Sequence, residues 1–348
     1  MKITKMKYAF SIMVLAMMSV GLLYSQSGTS GGSFEKAGST GSQFLKIGVG
    51  SRAMGMGGAF GGVSNDITAL YYNPAGIARL GGTNLGVEYN EWFADMKHSF
   101  VGLSIPISTD YTLGVSVLML DAGSMEITTI EQPEGTGSTF SVTDLAVGVT
   151  FAANITDQFS FGMTMKYIEN NIFDLTASGF AFDAGTIYEA AIQGLKIGFA
   201  VSNLGGESDF TGQSLTVLYT NLDERDAGIT SRPLNATLNS TPYSLPLSFR
   251  GGVSYDVMAG MADQSLVVAA DFIHLSDNPE KFNMGAEYVW NNLFAVRGGY
   301  QMRYNEFGLT FGTGINFENE SFRGSFDYAY ADLGILGAAN RIGFRFKF

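Results

Sequence analysis

The sequence predicts an all-β fold: a transmembrane antiparallel β-barrel of about 14 strands with an N-terminal hatch, or plug, that contains a short helix. Three observations lead to this prediction. Apolar and polar residues alternate along most of the chain; only 15% of the 348 residues are charged, although 46% are apolar; and no apolar run beyond the N-terminal one is long enough for a spanning helix. An ordinary soluble domain carries roughly 25% charged residues, so this chain lacks the usual charged surface.

The N-terminus has the three parts of a secretory signal peptide. Residues 1–7 carry three lysines, residues 8–24 form an apolar run, and Ser25 precedes a polar, glycine-rich stretch. This order predicts export and cleavage near Ser25; the alternative is an uncleaved anchor, for which a run of about 17 residues is short. We expect four segments: a signal peptide at 1–25, a flexible segment at 26–45, the hatch at 46–82 and the barrel at 83–348.

Charge and rare residue types exclude several functions. Without the signal peptide the chain has 17 basic and 32 acidic side chains, a net charge of −15, and a protein this acidic should repel nucleic acid. The absence of cysteine excludes disulfides, thiol catalysis and cysteine-bound metal. His98 and His274 have no metal-ligand spacing, and both are expected at loop edges. We therefore expect no enzyme activity, no cofactor and no metal.

Alternation is clearest at the C-terminus. In RIGFRFKF, residues 341–348, Ile and Phe occupy one face and Arg, Gly and Lys the other, which is the pattern of a strand with one apolar face. There are about fourteen such runs, and single-chain bacterial barrels require an even number of strands. The runs lie near residues 84–91, 97–107, 110–121, 140–153, 157–170, 178–190, 194–204, 246–258, 264–274, 280–290, 292–303, 306–318, 321–331 and 338–348.

The connections between these runs favour the same topology, because barrels have short periplasmic turns and longer outer loops. Connections two, four, six, ten and twelve are short, and the two longest, residues 122–139 and 205–245, are odd-numbered. The exception is the short connection after residue 303, which falls on the outer side. A barrel that starts and ends on the periplasmic side satisfies this order.

A soluble β-sandwich also alternates, but its outward face should be charged. Here the polar face is mostly glycine, serine and threonine, which is typical of a wet or plugged lumen, and aromatic residues lie near strand ends, as at bilayer interfaces. The charges predicted to face the lumen are Lys166, Arg250, Asp271, Glu287, Arg297, Arg323, Asp327, Arg341 and Arg345. The predicted interfacial aromatics are Tyr255, Trp290, Tyr300, Tyr328 and Tyr330.

Residues 46–80, KIGVGSRAMGMGGAFGGVSNDITALYYNPAGIARL, contain the glycine spacing of a dinucleotide-binding loop. That fingerprint has meaning only where it opens a βαβ unit, and here antiparallel strands follow, so we expect no nucleotide. Glycines let the backbone pack closely against a wall, which favours a plug. Within it we expect a helix from about Ser64 or Asp66 to Tyr72, with a break at Asn73-Pro74.

The residues of this segment resemble those of a known family. GSRAMGMGGAFGGVSNDITALYYNPAGIA resembles the N-terminal signature of the PorV/PorQ family, within the wider FadL-like group of outer-membrane barrels, and its hatch motif Asn73, Pro74, Ala75 and Gly76 is the element shared with FadL-type transporters. Further matches, which together cover nearly all of the mature chain, are AVSNLGG at 200–206, LPLSFRGGVSY at 245–255, NMGAEYVWNNLFAVRGGY at 283–300 and FDYAYADLGILGAANRIGFRFKF at 326–348.

The resemblance implies a cell outer-membrane location in a Gram-negative bacterium and two candidate functions. PorV-like members receive secreted cargo proteins in type IX secretion and shuttle them to an attachment complex, whereas FadL-like members conduct hydrophobic small molecules through the hatch region into the membrane. The single outer loop of about 40 residues favours the PorV-like function; the FadL-like transporter is the alternative, and a structural barrel with neither activity stays open. The implied partners are outer-membrane lipid, the barrel insertion machinery, secreted cargo proteins and other type IX secretion components.

Two further sets of residues are candidates for function. Arg52 and Asp66 in the plug are expected to pair with charges on the wall, since an unpaired buried charge is costly. The outer connection exceeds the 12–15 residues beyond which structureless loops tend to be functional or disordered. Its candidates for partner binding are Leu215, Val217, Leu218, Tyr219, Arg225 and Arg232.

The C-terminal residues Phe346 and Phe348 resemble the signal that the outer-membrane insertion machinery reads. Replacing Phe348 with aspartate should lower the amount of folded barrel, because the last strand then loses its terminal apolar residue. The amount is measured as the band that shifts on boiling in a detergent gel. Wild-type levels of folded, membrane-inserted protein in this variant would contradict the assignment.

Overall fold

Fourteen antiparallel strands close into a barrel around the hatch, which confirms the predicted fold class. The computed structural model describes residues 38–219, 234–304 and 308–348, so the predicted signal peptide lies outside the described residues. Each barrel strand pairs with the next one along the chain, and the last pairs with the first. Closure leaves no barrel strand with an unpaired edge, which a lipid bilayer requires.

The strands in chain order are β1 Asn84–Glu91, β2 Lys97–Pro106, β3 Tyr111–Glu126, β4 Thr139–Asn154, β5 Phe159–Ile172, β6 Leu175–Glu189, β7 Leu195–Gly205, β8 Glu207–Ser208, β9 Thr211–Gly212, β10 Thr216–Tyr219, β11 Leu234–Thr237, β12 Tyr243–Ser244, β13 Ser248–Asp256, β14 Gln264–Leu275, β15 Asn278–Trp290, β16 Phe294–Met302, β17 Leu309–Glu318, β18 Arg323–Asp332 and β19 Ala338–Lys347. Strands β1–β7 and β13–β19 form the barrel. Their bounds agree with the prediction within three residues, except that β3 extends to Glu126.

The alternation in the sequence arises from the two environments of the wall. In β3, Val115, Val117 and Met119 are exposed on the outer surface, while Ser116 and Leu118 are buried inside. The closing pair shows the same division: Val87 of β1 lies opposite Phe344 of β19 on the outside. Because successive side chains of a strand point to opposite faces, one face contacts lipid and the other contacts the hatch.

The connections follow the predicted order with two corrections. The connections 173–174 and 276–277 are also short on the outer side, besides the one after residue 303. The physical reason at 173–174 is strand length, since β5 and β6 stay paired up to Ile172 and Leu175 and therefore meet in a tight hairpin. Among the described residues no helix has both the length and the hydropathy to span a membrane.

The hatch contains four short helical pieces. They are a 3₁₀ helix Gln43–Lys46, α1 Ser51–Gly55, α2 Ala69–Tyr72 and a 3₁₀ helix Pro74–Arg79. The predicted helix begins later than expected, because the Asp66 carboxylate accepts bonds from the Thr68 amide at 2.9 Å and hydroxyl at 2.6 Å and so holds a turn. Helix α1 was not predicted, since its five residues and flanking glycines carry no helical pattern.

The hatch begins before the expected boundary at residue 46, and it enters from the outer end of the barrel. Phe44 is buried at 1% exposure. The Thr40 hydroxyl donates to Asp277, in the outer connection between β14 and β15, at 2.5 Å. At the other end, the Thr83 amide donates to the carbonyl of Phe348 at 3.1 Å. The barrel therefore starts and ends at one end, the end predicted to be periplasmic, and residues 40–46 lie at the opposite end, predicted to be the outer one.

Wall glycines let the hatch backbone approach the barrel directly. A β-carbon on Gly299 would lie 2.1 Å from the Gly57 nitrogen, and one on Gly285 would lie 2.1 Å from the Met56 carbonyl oxygen. Real β-carbons do not come this close to other atoms, so these positions need glycine while the hatch is in place. A β-carbon on the neighbouring Gly298, on the outer face, would have no atom within 4 Å.

Replacing Gly299 with alanine should destabilise the closed hatch by roughly 1–3 kcal/mol, the usual cost of overpacking a well-packed interior. Gly298→Ala is the matched control, because it adds the same methyl group to the next residue on the outer face. The free energy of unfolding in urea and the rate of hatch proteolysis are the measurements. Equal stability of the two variants would show that the hatch does not rest on this wall.

Candidate functional site

Six charged side chains form a closed ring of ion pairs between the hatch and the barrel wall. Each arginine lies between two carboxylates, with nitrogen–oxygen distances of 2.5 to 3.0 Å around the ring. The members of this charge ring, in order of contact, are Arg52 of α1, Glu287 of β15, Arg297 of β16, Asp327 of β18, Arg345 of β19 and Asp66 of the hatch.

The charge ring is neutral and buried, since it holds three positive and three negative groups and none of their side chains is more than 13% exposed. Burial is the largest influence on the pKa of Asp66 and raises it. The nearby guanidinium groups of Arg345 and Arg52 and the hydrogen bonds from Thr68 together lower it by more than burial raises it, so the pKa of Asp66 lies below its ordinary value. The hatch cannot leave without separating these charges, which is costly in a buried site.

The hatch motif holds the opposite side of the plug. The Asn73 side-chain amide donates to the carbonyl of Thr186 on β6 at 3.0 Å and to that of Gly61 at 3.2 Å. Its oxygen accepts from the Ala75 amide at 3.3 Å, which begins the 3₁₀ helix. At Gly76 a β-carbon would lie 2.1 Å from the Ser64 carbonyl oxygen. The motif is therefore a packing element and presents no reactive group.

A polar cavity of about 580 Å³ lies on the periplasmic side of the charge ring. Besides ring members, it is lined by Arg79, Asn84, Arg323 and Lys347. Arg323, predicted to face the lumen, lies at the rim of this cavity; its side chain is 65% exposed and pairs with Glu318 at 2.5 Å. The cavity is a water-accessible basin below the hatch.

A smaller cavity of about 230 Å³ lies on the outer side of the hatch. It is lined by Gln43, Lys46, Ile47, Gly48, Met54, Gly58, Tyr72, Trp92, Arg250, Lys281, Asn283, Gln301, Tyr304 and Arg341. The Tyr72 hydroxyl donates to the Val49 carbonyl at 2.9 Å, and burial raises the pKa of Tyr72 to about 12. Of these lining residues, the sequence predicts only Arg250 and Arg341 to face the lumen. The same prediction could have been made for Asn283 and Gln301, because both lie on the polar face of their strands.

The predicted loop residues do not line these cavities, whereas the terminal residue Phe346 lines the periplasmic one. Val217 and Leu218 of β10 are exposed at 36% and 72%, and Leu215 ends a 3₁₀ helix before them. The Tyr219 side chain, Arg225 and Arg232 lie outside the described residues. At the periplasmic end the rings of Phe346 and Phe348 lie 6.2 Å from the ring of Phe322.

One histidine differs from the expectation of a loop edge. His98 is the second residue of β2 and is 2% exposed, because its position in the alternation faces the lumen. His274 lies one residue before the end of β14 and is exposed. The described residues contain no group of three or more carboxylate or imidazole side chains that could hold a metal ion.

Fourteen strands, an apolar outer surface and a hatch held by the charge ring define a plugged transmembrane β-barrel. No protein-family model matches this chain, and no curated protein sequence matches it. The structure is similar to the CymD monoaromatic hydrocarbon channel, with a TM-score of 0.56, 14% identity and coverage of 87% of this chain and 98% of that chain.

Two toluene transporters show the same likeness. TbuX of Ralstonia pickettii gives a TM-score of 0.55 at 12% identity over 86% of this chain and 97% of that one. TodX of P. putida gives 0.53 at 11% identity over 86% and 96%. At these identities the likeness shows the fold alone.

Replacing Arg52 with methionine should open the hatch, because Asp66 and Glu287 each lose a buried partner. Breaking a buried ion pair from one side typically costs about 3–5 kcal/mol. The control is Arg323→Met, which removes an arginine from an exposed pair beside the same cavity, where the expected cost is about 0–1 kcal/mol. Conductance in planar bilayers should rise for the first variant and not for the second. Equal conductance would mean that the charge ring does not hold the plug.

Proposed function

We propose that this chain is an outer-membrane channel that carries small hydrophobic compounds past its hatch. The observation that supports this most is the fold, since the similar solved structures are described as a monoaromatic hydrocarbon channel and toluene transporters. The same likeness supports the outer-membrane location and the absence of enzyme activity. This is the alternative that the sequence resemblance left open.

The filled lumen fits a selective channel better than an open pore. The charge ring and the hatch motif close the space between the periplasmic and outer cavities. A hydrophilic solute would have to displace the hatch to pass. A hydrophobic solute has a second way out, because it is stable in the membrane that surrounds the wall.

The wall offers an irregularity for such an exit. The pairing of β6 with β7 shifts between Phe182 and Ala184, and Asn203 on β7 has a φ of 65°. The Asp183 carboxylate accepts from the Asn203 amide at 2.8 Å and pairs with Lys166 at 2.9 Å. A cavity of about 70 Å³ beside this bulge shares residues with the outer cavity. Bulges interrupt the ladder and are frequent beside functional sites, so we place the lateral exit here.

Handling of type IX secretion cargo, the function that the sequence favoured, is a second candidate. It rests on the PorV/PorQ resemblance and on the outer connection between β7 and β13. There Leu218, Leu234 and Leu238 are 72%, 65% and 53% exposed, so the connection offers apolar side chains for contact with a protein. The similar solved structures favour the channel over this candidate.

Two measurements on the same cells separate the candidates. Deleting the gene should lower the initial rate of labelled toluene uptake several-fold and leave the set of surface-displayed proteins unchanged. Restoring the chain without residues 212–240 should restore uptake, because the excised part lies outside the barrel strands. If uptake is unaffected by the deletion and secreted proteins fail to reach the surface, the cargo function replaces the channel.

A further inference from the structure

The outer cavity has an excess of positive charge. Four cationic side chains line it, Lys46, Arg250, Lys281 and Arg341, and no carboxylate does. Two of the four form ion pairs with carboxylates that do not line the cavity: Lys46 pairs with Asp277 at 2.9 Å and Arg250 pairs with Asp271 at 2.8 Å. Arg341 and Lys281 form no ion pair with any residue in the described ranges. Among the described residues, two of the four cations of the cavity are therefore without a carboxylate in ion-pair contact.

Arg341 is the stronger indication of a ligand. Its side chain is 1% exposed, and its Nη1 donates to the carbonyl of Gly48 in the hatch. Its Nε and Nη2 are buried and have no hydrogen-bond partner among the described residues. Glu88 on the neighbouring strand shares a second, smaller void with Arg341, and its Oε1 has no hydrogen-bond partner among the described residues. Its Oε2 is bound to Ser51, and the side chain does not line the outer cavity. A buried guanidinium with two free donors is costly unless an anion meets it.

Lys281 lines the same cavity and lies over an aromatic ring. Its ammonium is 4.2 Å from the centre of the Tyr304 ring. The nearby Asp277 is already bound by Lys46, Thr40 and Gln43. A cation that faces a ring and lacks a carboxylate partner is available to a negatively charged ligand.

Two side-chain amide oxygens in the outer cavity would accept hydrogen bonds from a ligand. The side-chain oxygens of Asn283 and Gln301 are buried without a hydrogen-bond partner among the described residues, and both residues line the cavity. The Gln301 amide nitrogen donates to the Gly57 carbonyl at 3.1 Å, which turns the oxygen of that amide away from the hatch backbone. The two residues face each other across β15 and β16. A ligand with a hydroxyl or amino group would satisfy them, and water alone would leave the positive charges uncompensated.

The volume of the outer cavity and its apolar lining residues indicate the size and shape of the ligand. A volume of about 230 Å³ lies below the ~300–1,000 Å³ of sites for drug-sized molecules, so a single ring fits better than a long chain. Aromatic and apolar side chains, Ile47, Met54, Tyr72 and Trp92, supply contact for that ring. The guanidinium carbon of Arg341 lies 5.7 Å from the centre of the Trp92 ring, so the charge and the aromatic surface are adjacent.

We propose that the outer cavity binds a single-ring aromatic acid that carries a hydroxyl or amino group. Its carboxylate lies between Arg341 and Lys281, its donor group meets the amide oxygens of Asn283 and Gln301, and its ring packs on Trp92. This inference rests on the proposed channel function and goes beyond it, because it adds at the outer end a binding site for an amphipathic acid, at which a neutral hydrocarbon binds less well.

The test uses the full chain in detergent and the fluorescence of Trp92. Trp290 is the second of the two tryptophans and is 53% exposed on the lipid face, so Trp290→Phe leaves Trp92 as the reporter. In this background we titrate 4-hydroxybenzoate and its neutral counterpart 4-methylphenol. The acid should bind saturably and at least about tenfold more tightly, which corresponds to one charge-assisted hydrogen bond.

Variants at the two free cations make the test specific. Arg341→Gln and Lys281→Gln should each weaken binding of 4-hydroxybenzoate about tenfold or more and leave 4-methylphenol unchanged. Lys97→Gln is the control, since Lys97 is an exposed lysine at the outer end of β2 and does not line the cavity. If Arg341→Gln does not fold, Lys281→Gln and the comparison of the two ligands still decide the question.

Equal affinity for the acid and the phenol, or unchanged binding in the two glutamine variants, would overturn the proposal. Toluene uptake in the same strains separates this failure from that of the channel function. Uptake that persists while 4-hydroxybenzoate does not bind would leave the channel standing and remove the aromatic-acid site. Loss of uptake on gene deletion together with selective binding of the acid would support both.

Discussion

A charge that leaves water must meet an opposite charge, and this constraint holds the hatch in the barrel. Arg52 and Asp66 enter the lumen with the hatch, and four residues of the wall complete a neutral ring around them. Every member has two partners, so no charge is left for water to solvate. The glycine contacts between hatch and wall set the distance of approach, but they are not directional. The charge ring selects one position of the plug among those that the glycines permit.

The same constraint distinguishes the two ends of the lumen. On the periplasmic side each buried charge is matched within the protein, as expected for a structural element. On the outer side Arg341 and Lys281 line the cavity without a carboxylate partner among the described residues. Lys281 there faces the Tyr304 ring, and Arg341 has two donors without a partner among the described residues and shares a second small void with the Glu88 carboxylate. The outer cavity is therefore the face at which we propose that a ligand binds.

The sequence predicts the parts that depend on local pattern and misses those that depend on closure of the barrel. The strands follow from alternation alone, since each is long and has one apolar face. Helix α1 has five residues beside several glycines, so no period is visible. Arg52 and Glu287 are 235 positions apart and meet only because the barrel closes around the hatch. Asn283 and Gln301 lie on polar faces, but that they share a cavity depends on the register of β15 with β16.

The sequence resemblance and the structural likeness favour different functions for a physical reason. Asn73 bonds to hatch and wall carbonyls and begins a helical turn, and Gly76 allows the hatch backbone to pass close to Ser64. These residues hold the plug in place, whichever of the two functions the barrel performs. A motif whose residues serve packing therefore identifies the architecture and does not distinguish between the two candidate functions. The differences in function lie in residues that face a partner or a solute: the exposed leucines of the outer connection and the unpaired cations of the outer cavity.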